Sequence, residues 1–133
     1  MPKSNEDLEG YLAKLERRFE RAEDGTYLVA GGPQQPPIAI RLAAPVVVVR
    51  VEIGAVPKSN PEREARVFRR LLELNATELL HAAYAIDGDL IVLGSALELD
   101  NLDLNELEAV LADLDMAIAE QVPALHELAQ QKA

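Results

Sequence analysis

Residues 46 to 53, Val-Val-Val-Val-Arg-Val-Glu-Ile, limit the fold of this chain more than any other stretch. β-Branched side chains are stiff at χ1 and suit a pleated surface, so the run reads as a strand. Alternation puts Val47, Val49, Val51 and Ile53 on one face and Val46, Val48, Arg50 and Glu52 on the other. The first face is wholly apolar and belongs to a core. A strand of this kind needs neighbouring strands and a layer to cover it.

The neighbours and the layer are legible on either side. Thr26 to Ala30 and Ile38 to Leu42 read as two further strands, with Ala43-Ala44-Pro45 separating the second from the valine run. Gly31, Gly32, Pro33 and Pro36-Pro37 mark a loop. His81 to Ile86 and Leu90 to Leu97 read as a hairpin around Asp87-Gly88, with Gly94 as a place of close backbone approach. Ahead of the strands, Leu8, Leu12, Leu15 and Phe19 recur at helical spacing. Ser4 and Asp7 cap that helix, which is expected to run to Asp24-Gly25. Asn60-Pro61-Glu62 starts a second helix over residues 61 to 75, closed by Asn75 in a left-handed conformation. Val67, Leu71 and Leu74 form its core stripe, and Phe68 and Leu72 widen the stripe beyond what a surface helix needs. In the last helix Asp103 and Glu106 form a capping box and Leu102 and Leu107 a staple, and the helix reaches at least residue 120. Pro123 interrupts the pattern and is expected to kink or break it near residues 120 to 122. The expected fold class is α+β: helix, three antiparallel strands, helix, two antiparallel strands, C-terminal helix, in one domain over residues 1–133.

Charge narrows the function. Residues 1 to 70 hold 12 Lys and Arg against 10 Asp and Glu, whereas residues 71 to 133 hold 1 against 13, within a net charge of −10. Such a field repels polyanions, so neither nucleic acid nor an anionic membrane is an expected partner, and a basic or amphipathic polypeptide is. Lys14, Arg17, Arg18, Arg21, Arg63, Arg66, Arg69 and Arg70 read as solvated helix faces, some paired with nearby glutamates. With 4% aromatic residues and no Trp, stacking platforms are scarce. The absence of Cys excludes disulfides, thiolate nucleophiles and Cys-based metal sites. Met1 to Asp7 do not read as a secretory signal and no apolar run approaches a membrane span, which points to a cytoplasmic protein.

The residues offer little catalytic chemistry. His81 and His126 lack partners at ligand spacing, and Ser4, Ser59 and Ser95 lack a nucleophile-elbow context. Asp87, Asp89, Glu98, Asp100, Asp103 and Glu106 cluster locally, but a hairpin turn and helix caps explain them better than a cation site does. Gly31-Gly32 lacks the Lys and Ser/Thr of a phosphate loop. No catalytic, cofactor-binding or metal-ligating residues are assigned, no cofactor is expected, and the protein is read as a non-enzyme.

The order of elements, with Leu71-Leu72-Glu73-Leu74-Asn75-Ala76 closing a helix and Tyr84-Ala85-Ile86-Asp87-Gly88-Asp89-Leu90-Ile91-Val92-Leu93 forming a hairpin, resembles the YbjN-like proteins. It also resembles the class I type III secretion chaperones of the Tir-chaperone family. Leu99, Leu102, Asp103, Glu106 and Leu107 extend the likeness into the last helix. The resemblance implies a homodimer paired through residues 61–75 and 81–86, which places Val67, Phe68, Leu71, Leu72, His81 and Ala83 at the dimer interface. It further implies a client polypeptide held over apolar patches on the sheet and first helix, at Val46, Val48, Leu12 and Leu15. A regulatory domain with an apolar small-molecule pocket between helix and sheet is the alternative reading.

Overall fold

In the computed structural model, which describes residues 4–31 and 35–130, the valine-rich run lies at the centre of a six-stranded sheet. Gly32 and Pro33 of the expected loop, Met1 to Lys3 and Lys132 lie outside the described residues. The elements in chain order are α1 (Asn5–Lys14), β1 (Phe19–Arg21), β2 (Tyr27–Val29), β3 (Ile38–Ala43), β4 (Val46–Ala55), α2 (Pro61–Thr77), β5 (Ala83–Asp87), β6 (Leu90–Glu98), α3 (Leu104–Glu120) and α4 (Val122–Gln130). The sheet order is β1-β2-β3-β4-β6-β5, antiparallel throughout. The fold class is α+β, as the sequence indicates, with one strand and one short helix more than expected.

Alternation along β4 works as anticipated. Val47, Val49, Val51 and Ile53 are buried, and their register partners Leu42, Ile40, Leu97 and Leu93 point the same way. Leu8 and Leu12 of α1, Val67, Leu71 and Leu74 of α2, Leu107, Leu111 and Leu114 of α3 and Leu125 of α4 close over this face to make one core. All four helices thus lie on one side of the sheet. Gly94 faces β4 so closely that a Cβ would stand 2.8 Å from the Val49 carbonyl oxygen, which explains the glycine in mid-strand.

Three expectations need correction. The first helix stops at Lys14 rather than running to Asp24. Glu16 takes a positive φ of 58°, the Arg17 N–H bonds the Leu12 carbonyl and the Glu16 N–H bonds the Ala13 carbonyl, which is a Schellman ending. Phe19 therefore leaves the helical stripe, enters β1 and stacks edge-on against Tyr27 with ring centroids 5.6 Å apart. Arg17, Arg18 and Arg21 accordingly lie beyond α1; the first pairs with Asp115 at 2.5 Å and the third stands over the Tyr27 ring.

Asn75 does not end α2, which continues to Thr77. The turn joining β5 and β6 centres on Gly88 and Asp89, not Asp87 and Gly88. Asp87 pairs with Leu90, and the positive φ of Gly88 followed by a negative one at Asp89 makes a type II′ turn. β5 accordingly starts at Ala83 and ends at Asp87. The caps lie where expected: Ser4 and Asp7 form a reciprocal box, and the Asn60 side chain accepts from the Glu62 and Arg63 N–H groups, but at α3 only half of the expected box forms, Asp103 accepting from the Glu106 N–H. The last helical pattern breaks at Gln121, and Pro123 stands in the first turn of α4, where its missing N–H has no consequence.

Candidate functional site: a helix–strand edge and an open sheet face

β5 is the last strand of the sheet, and α2 packs alongside it. Between them lies an open cleft of about 280 Å³, lined by Phe68, Leu71, Leu72, Tyr84 and Ile86. Leu72 is 69% exposed at its rim and Ile86 is 43% exposed. Just before β5, Leu80 stands 87% exposed. Three large apolar side chains in water on one flank of a small protein form the kind of patch that marks a contact surface.

This flank is held firmly from beneath. The Asp113 carboxylate, buried on α3, accepts from the His81 and Ala82 N–H groups at 2.9 and 3.1 Å, fixing the segment that carries Leu80. The Tyr84 hydroxyl donates to Gln121 Oε1 at 2.6 Å, so β5 is tied to the bend between α3 and α4. Burial, reinforced by the Asp113 charge, pushes the Tyr84 hydroxyl up to about 12, so it stays a donor at any physiological pH. The Asn75 carboxamide completes the set: its Oδ1 accepts from the Tyr84 N–H at 2.7 Å and its Nδ2 donates to the Tyr84 carbonyl at 3.1 Å.

The opposite sheet face carries no helix among the described residues. Register places Leu28, Ala39, Ala43, Val46, Val48 and Ala96 on it, an apolar surface crossed and edged by Glu20, Arg41, Arg50, Glu52, Asp87 and Glu98. Arg50 reaches across β6 to pair with Asp87. Open depressions lie at its β1–β3 end, one around the β1 edge lined by Arg17, Arg18, Phe19, Glu20, Leu28 and Pro37 and another lined by Leu28, Pro36, Ala39, Arg50 and Glu52. Between the sheet and its helices Leu, Val and Ile side chains pack into one core, and the apolar opening between helix and sheet is the cleft of α2 and β5.

The predicted contact residues divide accordingly. Phe68 and Leu72 reach the cleft, and His81 and Ala83 are exposed beside it. Val67 is fully buried and Leu71 nearly so, because both sit on the core stripe that Phe68 and Leu72 flank. On the client side, Val46 and Val48 are half-buried on the open face, whereas Leu12 is fully buried and Leu15 packs against the core. Leu80 and Ile86 were not singled out. Their signal was available in Leu79-Leu80, where one leucine suffices to close the core, and in an edge strand whose inward side α2 only partly covers. The acidic cluster disperses into local roles: Asp87 pairs with Arg50, Asp89 with Lys58 at 2.9 Å, Glu98 accepts from Asn101, and Asp103 caps α3. His126 Nε2 lies 3.1 Å from the Ile53 carbonyl at the β4 bulge.

Comparison with known proteins agrees with this architecture. The family model CesT_Tir_1 matches residues 1–131. No curated protein sequence gives a significant match. Among solved structures, a chain of the heterodimeric ExoU-SpcU complex from the type III secretion system of Pseudomonas aeruginosa aligns with TM-score 0.70 and 22% identity, over 90% of this chain and 98% of that one. The Yersinia pestis type III secretion chaperone SycH complex with a YscM2 fragment contains a chain that aligns with TM-score 0.58 and 19% identity, covering 89% and 95%. YbjN from E. coli, described as a putative transcription regulator, aligns with TM-score 0.59 and 14% identity, covering 90% and 94%. At these identities the structural likeness establishes the fold, and the family match establishes kinship. The chain belongs to the CesT_Tir_1 family, that of the type III secretion chaperones.

Proposed function

We propose that this protein is a non-enzymatic holder of polypeptide that works as a homodimer, pairing through the α2–β5 flank and carrying an extended client segment on the open sheet face. The exposure of Leu72 and Ile86 at one cleft, with Leu80 exposed just before β5, carries the reading, since a protomer that worked alone would gain nothing from leaving them in water. Paired about a two-fold axis, the flank meets itself, and each exposed leucine finds apolar surface. The other face suits an extended segment. Val46, Val48, Ala43 and Ala96 are low enough for a backbone to approach, and Leu28 beside Pro37 offers a depression for a larger side chain.

The net charge of −10 favours a client that is basic or amphipathic. The test is capture from the source cell with this protein as bait, followed by limited proteolysis of the bound material. A single client segment protected by the wild type and released by Val48→Glu supports the reading. Protection unaffected by Val48→Glu removes the open face as its seat.

A further inference from the structure

We propose that Asn75 stands in for a seventh strand, closing the β5 edge to main-chain pairing so that the α2–β5 flank receives a second copy of this chain through side-chain packing alone. This rests on the homodimer reading above and specifies how the two copies meet. In the β5–β6 hairpin the two-residue turn makes Asp87 and Leu90 a hydrogen-bonded pair, and alternation gives Ala85 with Val92 and Ala83 with Gly94 the same status. Tyr84 and Ile86 therefore turn their N–H and C=O groups outward, to the side where the next strand would add. A carboxamide presents one acceptor and one donor side by side, as the backbone of a neighbouring strand does. Asn75 applies both to Tyr84, at 2.7 and 3.1 Å, from within α2.

Only the outward groups of Ile86 remain, and among the described residues nothing in this chain bonds them. One residue is too short for a strand pairing. An edge strand left with its full row of free groups invites extended chains and further copies without limit, and a side chain spent on closing it is a means of choosing one partner geometry over another. The occupant favoured is a second copy because the exposed side of α2 complements itself. Arg69 and Glu73, which pair along α2 at 3.6 Å while both stay exposed, flank Leu72, and an antiparallel copy would let each Arg69 also reach Glu73 of the partner subunit around the paired leucines. An extended client is thereby directed away from this flank.

The experiment uses the full chain and two variants, Asn75→Ala and Asn75→Asp, the latter keeping the acceptor for the Tyr84 N–H. Mass is read by light scattering, amide exchange by NMR, and contacts between copies in mixed isotope-labelled dimers. The wild type is expected to be a dimer with methyl contacts between copies at Leu72 and Ile86 and no amide–amide contacts from β5 to β5. In Asn75→Ala the Tyr84 amide exchanges roughly tenfold faster, as for loss of one hydrogen bond, and species heavier than the dimer or β5–β5 amide contacts appear. Asn75→Asp keeps Tyr84 protected. Amide contacts across β5 in the wild-type dimer overturn the proposal, as does a Tyr84 amide and a mass that both ignore Asn75→Ala. A monomeric wild type in which Asn75→Ala still exposes the Tyr84 amide supports the edge closure and overturns the second copy as its occupant, so the two failures are told apart.

Discussion

Single residues carry the sharpest expectations. Glu16 holds a left-handed conformation that costs an L-residue about 1–2 kcal/mol, and glycine gives back part of that through the freedom of its unfolded chain. Glu16→Gly is therefore expected to stabilise the protein by about 0.5–1 kcal/mol in urea unfolding; a loss of stability would show that Glu16 makes an interaction outweighing its backbone. Gly94→Ala sets a methyl against the Val49 carbonyl and should cost about 1–3 kcal/mol, with little effect if β4 and β6 can part locally. For Tyr84 the sign follows from its raised value. The unfolded phenol ionises near pH 10 and the folded one near 12, so the stability tied to the neutral phenol is whole below pH 10 and lost as pH climbs toward 12. Melting temperature should fall over that interval in the wild type more steeply than in Tyr84→Phe. Parallel curves would place the alkaline loss elsewhere.

At the level of elements, what could be read in advance and what could not have separable physical causes. Val46 to Ile53, the Asn60-Pro61 start of α2, the Asp103 cap and the break before Pro123 were legible because each is decided by residues adjacent in sequence. The end of α1 was not. Phe19 fits the helical stripe of Leu8, Leu12 and Leu15, and only its contact with Tyr27 across the β1–β2 hairpin draws it into a strand. Asn75 likewise looked like a helix terminator, since its true partner, the Tyr84 backbone, lies nine residues on and is brought near by the fold. The apolar flank was half legible: the surplus width of α2 at Phe68 and Leu72 showed in its periodicity, whereas the segment carrying Leu80 is held through the His81 N–H by Asp113, 32 residues beyond His81 in sequence. That anchor is itself testable. Asp113→Ala leaves the His81 and Ala82 N–H groups without their acceptor and should cost about 3 kcal/mol, with exchange rising at residues 81 and 82 before the core opens. Unchanged exchange there would mean that the segment is held by its apolar contacts.

The whole molecule divides its surfaces by the way helices are distributed. Because all four pack on one side, the sheet keeps one open face, and because α2 sits at the β5 end without covering it, one flank keeps exposed leucines. On the function proposed above, the flank would meet a second copy and the open face an extended segment, whose choice the concentration of acid after Arg70 would bias. Everything proposed for the client presupposes the assembly that presents it. The most direct measurement is the solution mass of the wild type and of Leu72→Glu by light scattering at micromolar concentration, with circular dichroism to confirm that both are folded. A wild type at twice the mass of the chain and a folded Leu72→Glu at the mass of one are expected; a wild type that stays at the mass of one chain across the concentration range would contradict the pairing of this flank.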